Sequence, residues 1–310
     1  MRKKISIINI AVLLSGFLMV GCTGSSLENV SSTTPFDEIG EFEVKVERSK
    51  KDPSNPILEE TLVTETMLSV NVLVINADSM TLKWRYGKSI IVGDQGSKIT
   101  KDEQKAINIY EGITFDLAVK ESGEIRVQNY QTVREELESL FLKLYGNDSL
   151  TAESEMYGRV KRMFEIKAGT AELMLENFFP EISLLFSSIN EEFIVGSNLS
   201  LDSVANPYGA GYLDIISEIT IVNVEDELII AKYDSIPQDI LDGKVMEYLN
   251  QVYGPAATDI PKEQIPHSTY LINLEVILSD DSKLQSVSTE KQFTQGEKAM
   301  VDVLEITIER

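Results

Sequence analysis

Cysteine, histidine and tryptophan occur once each in the 310 residues, as Cys22, His267 and Trp84. One cysteine leaves no intrachain disulfide, and one cysteine with one histidine cannot assemble a zinc site. A Ser-His-Asp arrangement would have to use His267, which follows Pro266 in a linker with no nucleophile elbow nearby, so it reads as an exposed loop residue. Glycine-rich phosphate loops are missing as well. Tyr208-Gly209-Ala210-Gly211-Tyr212 lacks the third glycine and the strand-to-helix setting of a dinucleotide fingerprint. No cofactor and no metal site are expected. Positive charge is scarce, with 28 Lys and Arg against 50 Asp and Glu. Such a surface repels phosphate backbones and anionic headgroups, so nucleic-acid binding and polybasic membrane docking are disfavoured. The densest acidic clusters, Asp280-Asp281 and Glu225-Asp226-Glu227, lack the spacing that wraps a loop around calcium and read as solvated turn acids.

What is present begins at the N-terminus. Arg2, Lys3 and Lys4 precede a mostly apolar stretch from Ile5 to Val20, which runs into Gly21-Cys22. That is the layout of an export signal, and the stretch is shorter than the roughly 20 apolar residues that span a bilayer. Leu18-Met19-Val20-Gly21-Cys22 resembles the lipobox of bacterial lipoproteins, with Met19 where the motif prefers Leu or Val. The resemblance implies cleavage before Cys22, acylation of its thiol by diacylglycerol and of its new amino group by a chain such as palmitate, and stable two-signal membrane anchoring. Without residues 1–21 the 25 remaining basic residues face 50 acidic ones, a formal charge of −25, so lipid rather than charge would hold the chain to its membrane. Thr23 to Pro35, rich in Ser and Thr without apolar periodicity, reads as part of a flexible tether over 22–35.

The body then alternates. Phe42, Val44 and Val46 share one parity, as do Leu68, Val70, Val72 and Val74, and Met80, Leu82, Trp84 and Tyr86, which predicts half-buried antiparallel strands and a hairpin turning at Asn76-Ala77-Asp78. In this pattern Trp84 reads as core rather than as a sugar platform. Thr100 with Glu103 predicts a capped short helix, Phe115 to Val127 a second hairpin about Ser122-Gly123, and Thr132 with Glu135 a helix ending at Gly146. Residues 151–190 predict two or three further helices broken by Pro180, their Met and Phe residues serving as core filling.

The second half reads as a repeat of the first. Val74 to Tyr86 aligns with Ile221 to Tyr233; a helix over about 238–252 follows, and then Ile272, Leu274, Val276 and Leu278 turn at Ser279-Asp280-Asp281-Ser282 into a strand from Leu284. The expected fold is α+β: mainly antiparallel sheet in two similar halves, each hairpin-helix-hairpin, with a helical insert between them. The expected boundaries are a signal peptide over 1–21, a tether over 22–35, a first β-rich half over 36–146, a helical connector over 147–192 and a second half over 193–310.

With its lipobox, turned hairpins and the segment Phe193-Ile194-Val195-Gly196, the chain resembles the uncharacterised lipoprotein families of bacterial envelopes. That resemblance implies a β-rich fold and an address, the outer membrane in a Gram-negative host and otherwise the cell surface. A vaguer likeness of layout is to lipoprotein carriers and lipid-binding lipoproteins of the periplasm. Three readings follow, in order: a non-catalytic binding module for a lipid or other hydrophobic ligand, held between two curving half-sheets in a cavity lined by Phe and Met; a structural or assembly subunit partnered by another envelope protein; and a carboxylate-based hydrolase. The only residue assigned a role is Cys22, for lipidation.

Overall fold

The computed structural model describes residues 29–52, 61–93, 100, 104–105, 107–145, 155–189, 192–205, 212–224, 227–253, 268–295 and 298–309. Cys22 and the signal segment, the glycine-containing segment 208–211, Glu225, Asp226 and His267 lie outside them.

Alternating apolar residues build the predicted strands around Val44, Val70, Leu82, Leu117, Ile229 and Val276, most of them longer than the predicted segments, and strands at 29–31 and 298–309 come in addition. The first set is β1 (Asn29–Ser31), β2 (Gly40–Lys51), β3 (Leu62–Ile75), β4 (Ser79–Ile91), β5 (Thr114–Lys120) and β6 (Ile125–Val127). Four helices follow, α1 (Tyr130–Tyr145), α2 (Glu155–Ala168), α3 (Ala171–Phe178) and α4 (Pro180–Ser187). Next come β7 (Glu192–Ile194), β8 (Gly196–Ala205), β9 (Tyr212–Val224), β10 (Glu227–Ser235), α5 (Gln238–Tyr253), β11 (Ser268–Ser279), β12 (Leu284–Gln295) and β13 (Lys298–Glu309). Among the described residues, no helix is long and apolar enough to cross a membrane.

One antiparallel sheet of eleven strands takes the order β6-β5-β4-β3-β2-β13-β12-β11-β10-β9-β8. The chain enters at the middle, meanders to one edge, passes through the four helices, restarts at the opposite edge and meanders back until β13 pairs with β2 over Val301↔Lys51 to Glu309↔Glu43. The expected halves are therefore not separate layers. Val44, Val46, Leu68, Leu82 and Phe115 share one apolar cluster with Val276, Val287, Leu304 and Ile306 from the other side of the seam. Each such fully buried Val, Leu or Phe contributes about 1.5–3 kcal/mol relative to exposure. A small second cluster, Leu213, Ile215, Ile236 and Leu241, seats α5 on the sheet.

The helical insert is more than a connector. Phe179, Ile182, Leu185 and Phe186, around and within α4, are all buried in the main core. Phe186 meets Phe36 and Trp84 with ring centroids 6.0 Å away in each case, and Trp84 is fully buried. Thr170 caps α3 by accepting from Leu173 N–H, while Pro180 at the first position of α4 needs no donor there. Helix α1 starts two residues before the predicted cap at Thr132. Asn129 precedes it, and its side chain bonds the β5 backbone at Asp116 N–H and Thr114 O, so tertiary contact outweighs the local capping box.

Residues 29–35 are not the free tether expected of them. β1 pairs with β7, Ser32 Oγ donates to Ser188 O at 2.5 Å, and Thr33 bridges to Lys283. Phe36 packs edge-on against Phe42 at 5.3 Å. Backbone pairing of this kind leaves no apolar period, because it uses main-chain groups that every residue carries.

Candidate ligand cavity

On its helix-covered face the sheet presents even-numbered residues of β2 and β3. Phe42, Val44 and Val46 lead in phase to Arg48, and Val72, Val70 and Leu68 lead to Thr66 and Thr64. On β4 the apolar series ends at Tyr86, where a bulge sets in: Leu68 faces Tyr86, but Thr66 faces Ser89. The extra residue on β4 re-aims the strand, bringing Ser89 onto the inner face. Gly87 sits in the bulge, where a Cβ would lie 2.3 Å from Met67 O. A helical turn then closes over this end of β4. Its Asn108 accepts from Ser89 N–H at 2.7 Å and Gln104 donates to Ser89 O at 3.4 Å.

Between this corner of the sheet and the helices lies a cavity of about 300 Å3, partly open to solvent. Its apolar wall is made by one phenylalanine from each of three helices, Phe141 of α1, Phe164 of α2 and Phe178 of α3, with Leu137 and Leu140 beside them. The three rings contact one another at 5.7–6.2 Å between centroids. Ile107, Ile109 and Tyr110 of the helical turn line it too.

The opposite wall is polar. Glu181, in the first turn of α4 and 1% exposed, accepts from Arg48 Nη2 on one carboxylate oxygen and from Tyr86 Oη on the other. Burial works against the charge on Arg48, but Glu181, together with Tyr86, outweighs it and holds the guanidinium above its ordinary value. Burial, followed by the Glu181 charge, pushes the Tyr86 hydroxyl well above the usual tyrosine range, so it remains a donor. Arg48 keeps about a third of its side chain exposed, 35%. Thr66 and Ser89 share a hydroxyl hydrogen bond of 2.6 Å at the same wall. Phe179 braces the tyrosines from behind, 5.0 Å from both Tyr86 and Tyr110.

This is an apolar pocket with a small set of convergent polar groups, the common form of a small-molecule site. It differs from the expected cavity in two ways. It lies under the helical layer of the N-terminal strands instead of between two half-sheets, and its described lining contains phenylalanine but no methionine; Met174 is fully buried in the core. The signal for its polar wall was nevertheless in the sequence. Arg48, Thr64 and Thr66 continue the parity of an apolar stripe, and Glu181 stands four residues before buried Leu185 on the same helical face.

Of the two acidic clusters, Asp280-Asp281 lies among the described residues and does not line this cavity. Asp281, at the β11–β12 turn, accepts from Ser279 Oγ at 2.5 Å and pairs with Lys283, which also reaches Asp37 at 2.8 Å. The Ser279 hydrogen bond, with help from Lys283, holds the Asp281 carboxyl below its ordinary value. No group of three or more His, Cys, Asp or Glu able to hold a metal ion occurs among the described residues.

No family model matches the chain, and no curated protein matches it. Among solved structures, a chain described as "Lipid-protein interactions in lipovitellin" aligns with a TM-score of 0.36 and 10% identity, over 88% of this chain and 25% of its own length. The chain thus spans a quarter of that protein.

Proposed function

We propose that this protein is a lipid-anchored bacterial envelope lipoprotein whose body binds a hydrophobic small molecule without transforming it. The observation that carries the binding reading is the three-phenylalanine wall facing the Arg48–Glu181–Tyr86 group across a partly open cavity. The anchor rests on the lipobox resemblance at Cys22. Extraction of the full chain from its envelope, followed by mass spectrometry under denaturing conditions, tests the ligand: one lipid-like molecule per chain is expected, and a bare chain sinks the binding reading. Metabolic labelling with palmitate tests the anchor, and label that persists in Cys22→Ala would refute it.

Anchoring would also set orientation. Seven peptide steps from Cys22 to Asn29, at about 3.3–3.6 Å each, bring the lipid within roughly 25 Å of β1. At that end of the sheet Gly40 pairs with Val72, which places exposed Ile39 beside exposed Leu73, Val74 and Ile75. The cavity lies toward the opposite end of β2, about eight residues or roughly 26 Å along the strand. The same exposed group favours the second reading, an assembly subunit, since contiguous apolar surface marks contact sites.

We also read the two halves as a duplication. Both run in the same direction across the sheet, each placing a helix between adjacent hairpins. Superposition of 62–127 on 212–295 tests it, and a register mismatch of the paired hairpins would refute it.

A further inference from the structure

The charge balance inside the cavity narrows what can occupy it. Arg48 and Glu181 are the charged side chains among its described lining residues, and they neutralise each other. Both oxygens of Glu181 are already engaged, by Arg48 and by Tyr86. An anionic head drawn to Arg48 would therefore stand beside a buried carboxylate, where like charges interact strongly in low dielectric. A cationic head would find Glu181 already occupied. The formal charge of −22 on the whole chain adds repulsion for an anion approaching from solvent. What the polar wall does offer is neutral recognition. Arg48 has N–H groups beyond the one bound to Glu181, and the hydroxyls of Thr64, Thr66 and Ser89 lie nearby. These suit ester carbonyls and hydroxyls. At about 300 Å3 the space is at the lower limit of small-molecule sites, enough for one slender apolar chain against the phenylalanine wall.

We infer that the cavity selects a single-chain amphiphile with an uncharged, hydrogen-bond-accepting head, of the monoacylglycerol class, over the fatty acid of the same chain. This deepens the ligand-binding reading and rests on it. The test offers the full chain, in neutral nanodiscs, a photoreactive monoacylglycerol or the matching photoreactive fatty acid at neutral pH. Labelled peptides are mapped and competed with unlabelled ligand. Labelling of the peptides that carry Arg48, Phe141, Phe164 or Phe178 is expected, with at least a tenfold preference for the monoacylglycerol. Glu181→Gln leaves Arg48 as an uncompensated cation and is expected to shift the preference toward the acid. The double variant Arg48→Gln, Glu181→Gln removes the uncompensated cation and is expected to abolish the shift toward the acid, with weaker labelling overall because the guanidinium donors are gone. Equal or reversed preference in the unaltered chain overturns this inference while leaving the cavity a ligand site. Absence of cavity labelling by both probes overturns the binding reading as well. If Glu181→Gln unfolds, the preference of the unaltered chain and of the double variant decides.

Discussion

Glu181 is a carboxylate buried in the core, with Arg48 on one oxygen and Tyr86 on the other. Removing the cation leaves a buried charge uncompensated, whereas replacing both ions with apolar residues of similar volume is near neutral. Arg48→Ala is expected to lower unfolding free energy in urea by about 3 kcal/mol. Arg48→Met with Glu181→Leu should recover most of that loss, and a double variant as unstable as the single one would show that the pair is not what matters. Glu275 of β11 poses the opposite case. Burial, then the charge of Glu305, raises its carboxyl above the ordinary value of 4.5. Between the unfolded and the raised folded value the native carboxyl retains a proton that the unfolded chain releases, so stability falls as pH rises through that window. Glu275→Gln is expected to raise the melting temperature at pH 7 and to change it little below pH 4, as a pair of thermal melts will show. Trp84 is different again. Its indole N–H is buried without an acceptor at full hydrogen-bond geometry among the described residues, and its influence on the Tyr86 hydroxyl is the weakest of those acting there.

At the scale of the element, two short features position the cavity. The β4 bulge turns Ser89 inward, and Gly87 permits it because a side chain there would collide with Met67 O. Gly87→Ala is expected to cost about 1–3 kcal/mol in urea unfolding and to weaken cavity labelling. Unchanged labelling would mean that the bulge does not shape the site. Phe179, between α3 and α4, holds Tyr86, Tyr110 and Phe115 at ring distances of 5.0, 5.0 and 4.7 Å. Phe179→Ala should cost about 3–5 kcal/mol, the usual range for a buried phenylalanine, measured in the same way. The helices carrying the wall were legible, since their apolar spacing and the break at Pro180 are local signals. The bulge was not, because a one-residue slip is visible only against the partner strand.

At the scale of the whole molecule, the pairing of β2 with β13 joins first and last long strands into one sheet over one main core. Neither half owns a complete interior. A chain ending after residue 189 would expose the β2 edge and the apolar residues that the strands beyond the seam cover, a configuration prone to aggregation. Expressed alone, residues 29–189 are expected to melt without a cooperative transition in circular dichroism. A sharp melt would instead show that the N-terminal strands and their helices form an independent domain.

The sequence by itself determined the long hairpin strands around Val70, Leu82, Leu117 and Val276 and the helices of the insert, the turns at Ser122-Gly123 and Ser279-Ser282, and the core role of Trp84, because these follow from periodicity and turn chemistry within a short window. It also carried the polar interruptions at Arg48, Thr64 and Thr66, in phase with their apolar neighbours. Only the tertiary structure decided that residues 29–33 pair with β7 and Lys283, that β13 closes on β2, and that Arg48, Tyr86 and Glu181 meet across 133 residues of chain. Those contacts depend on main-chain hydrogen bonds and charge pairings between distant segments, which leave no period in any one of them.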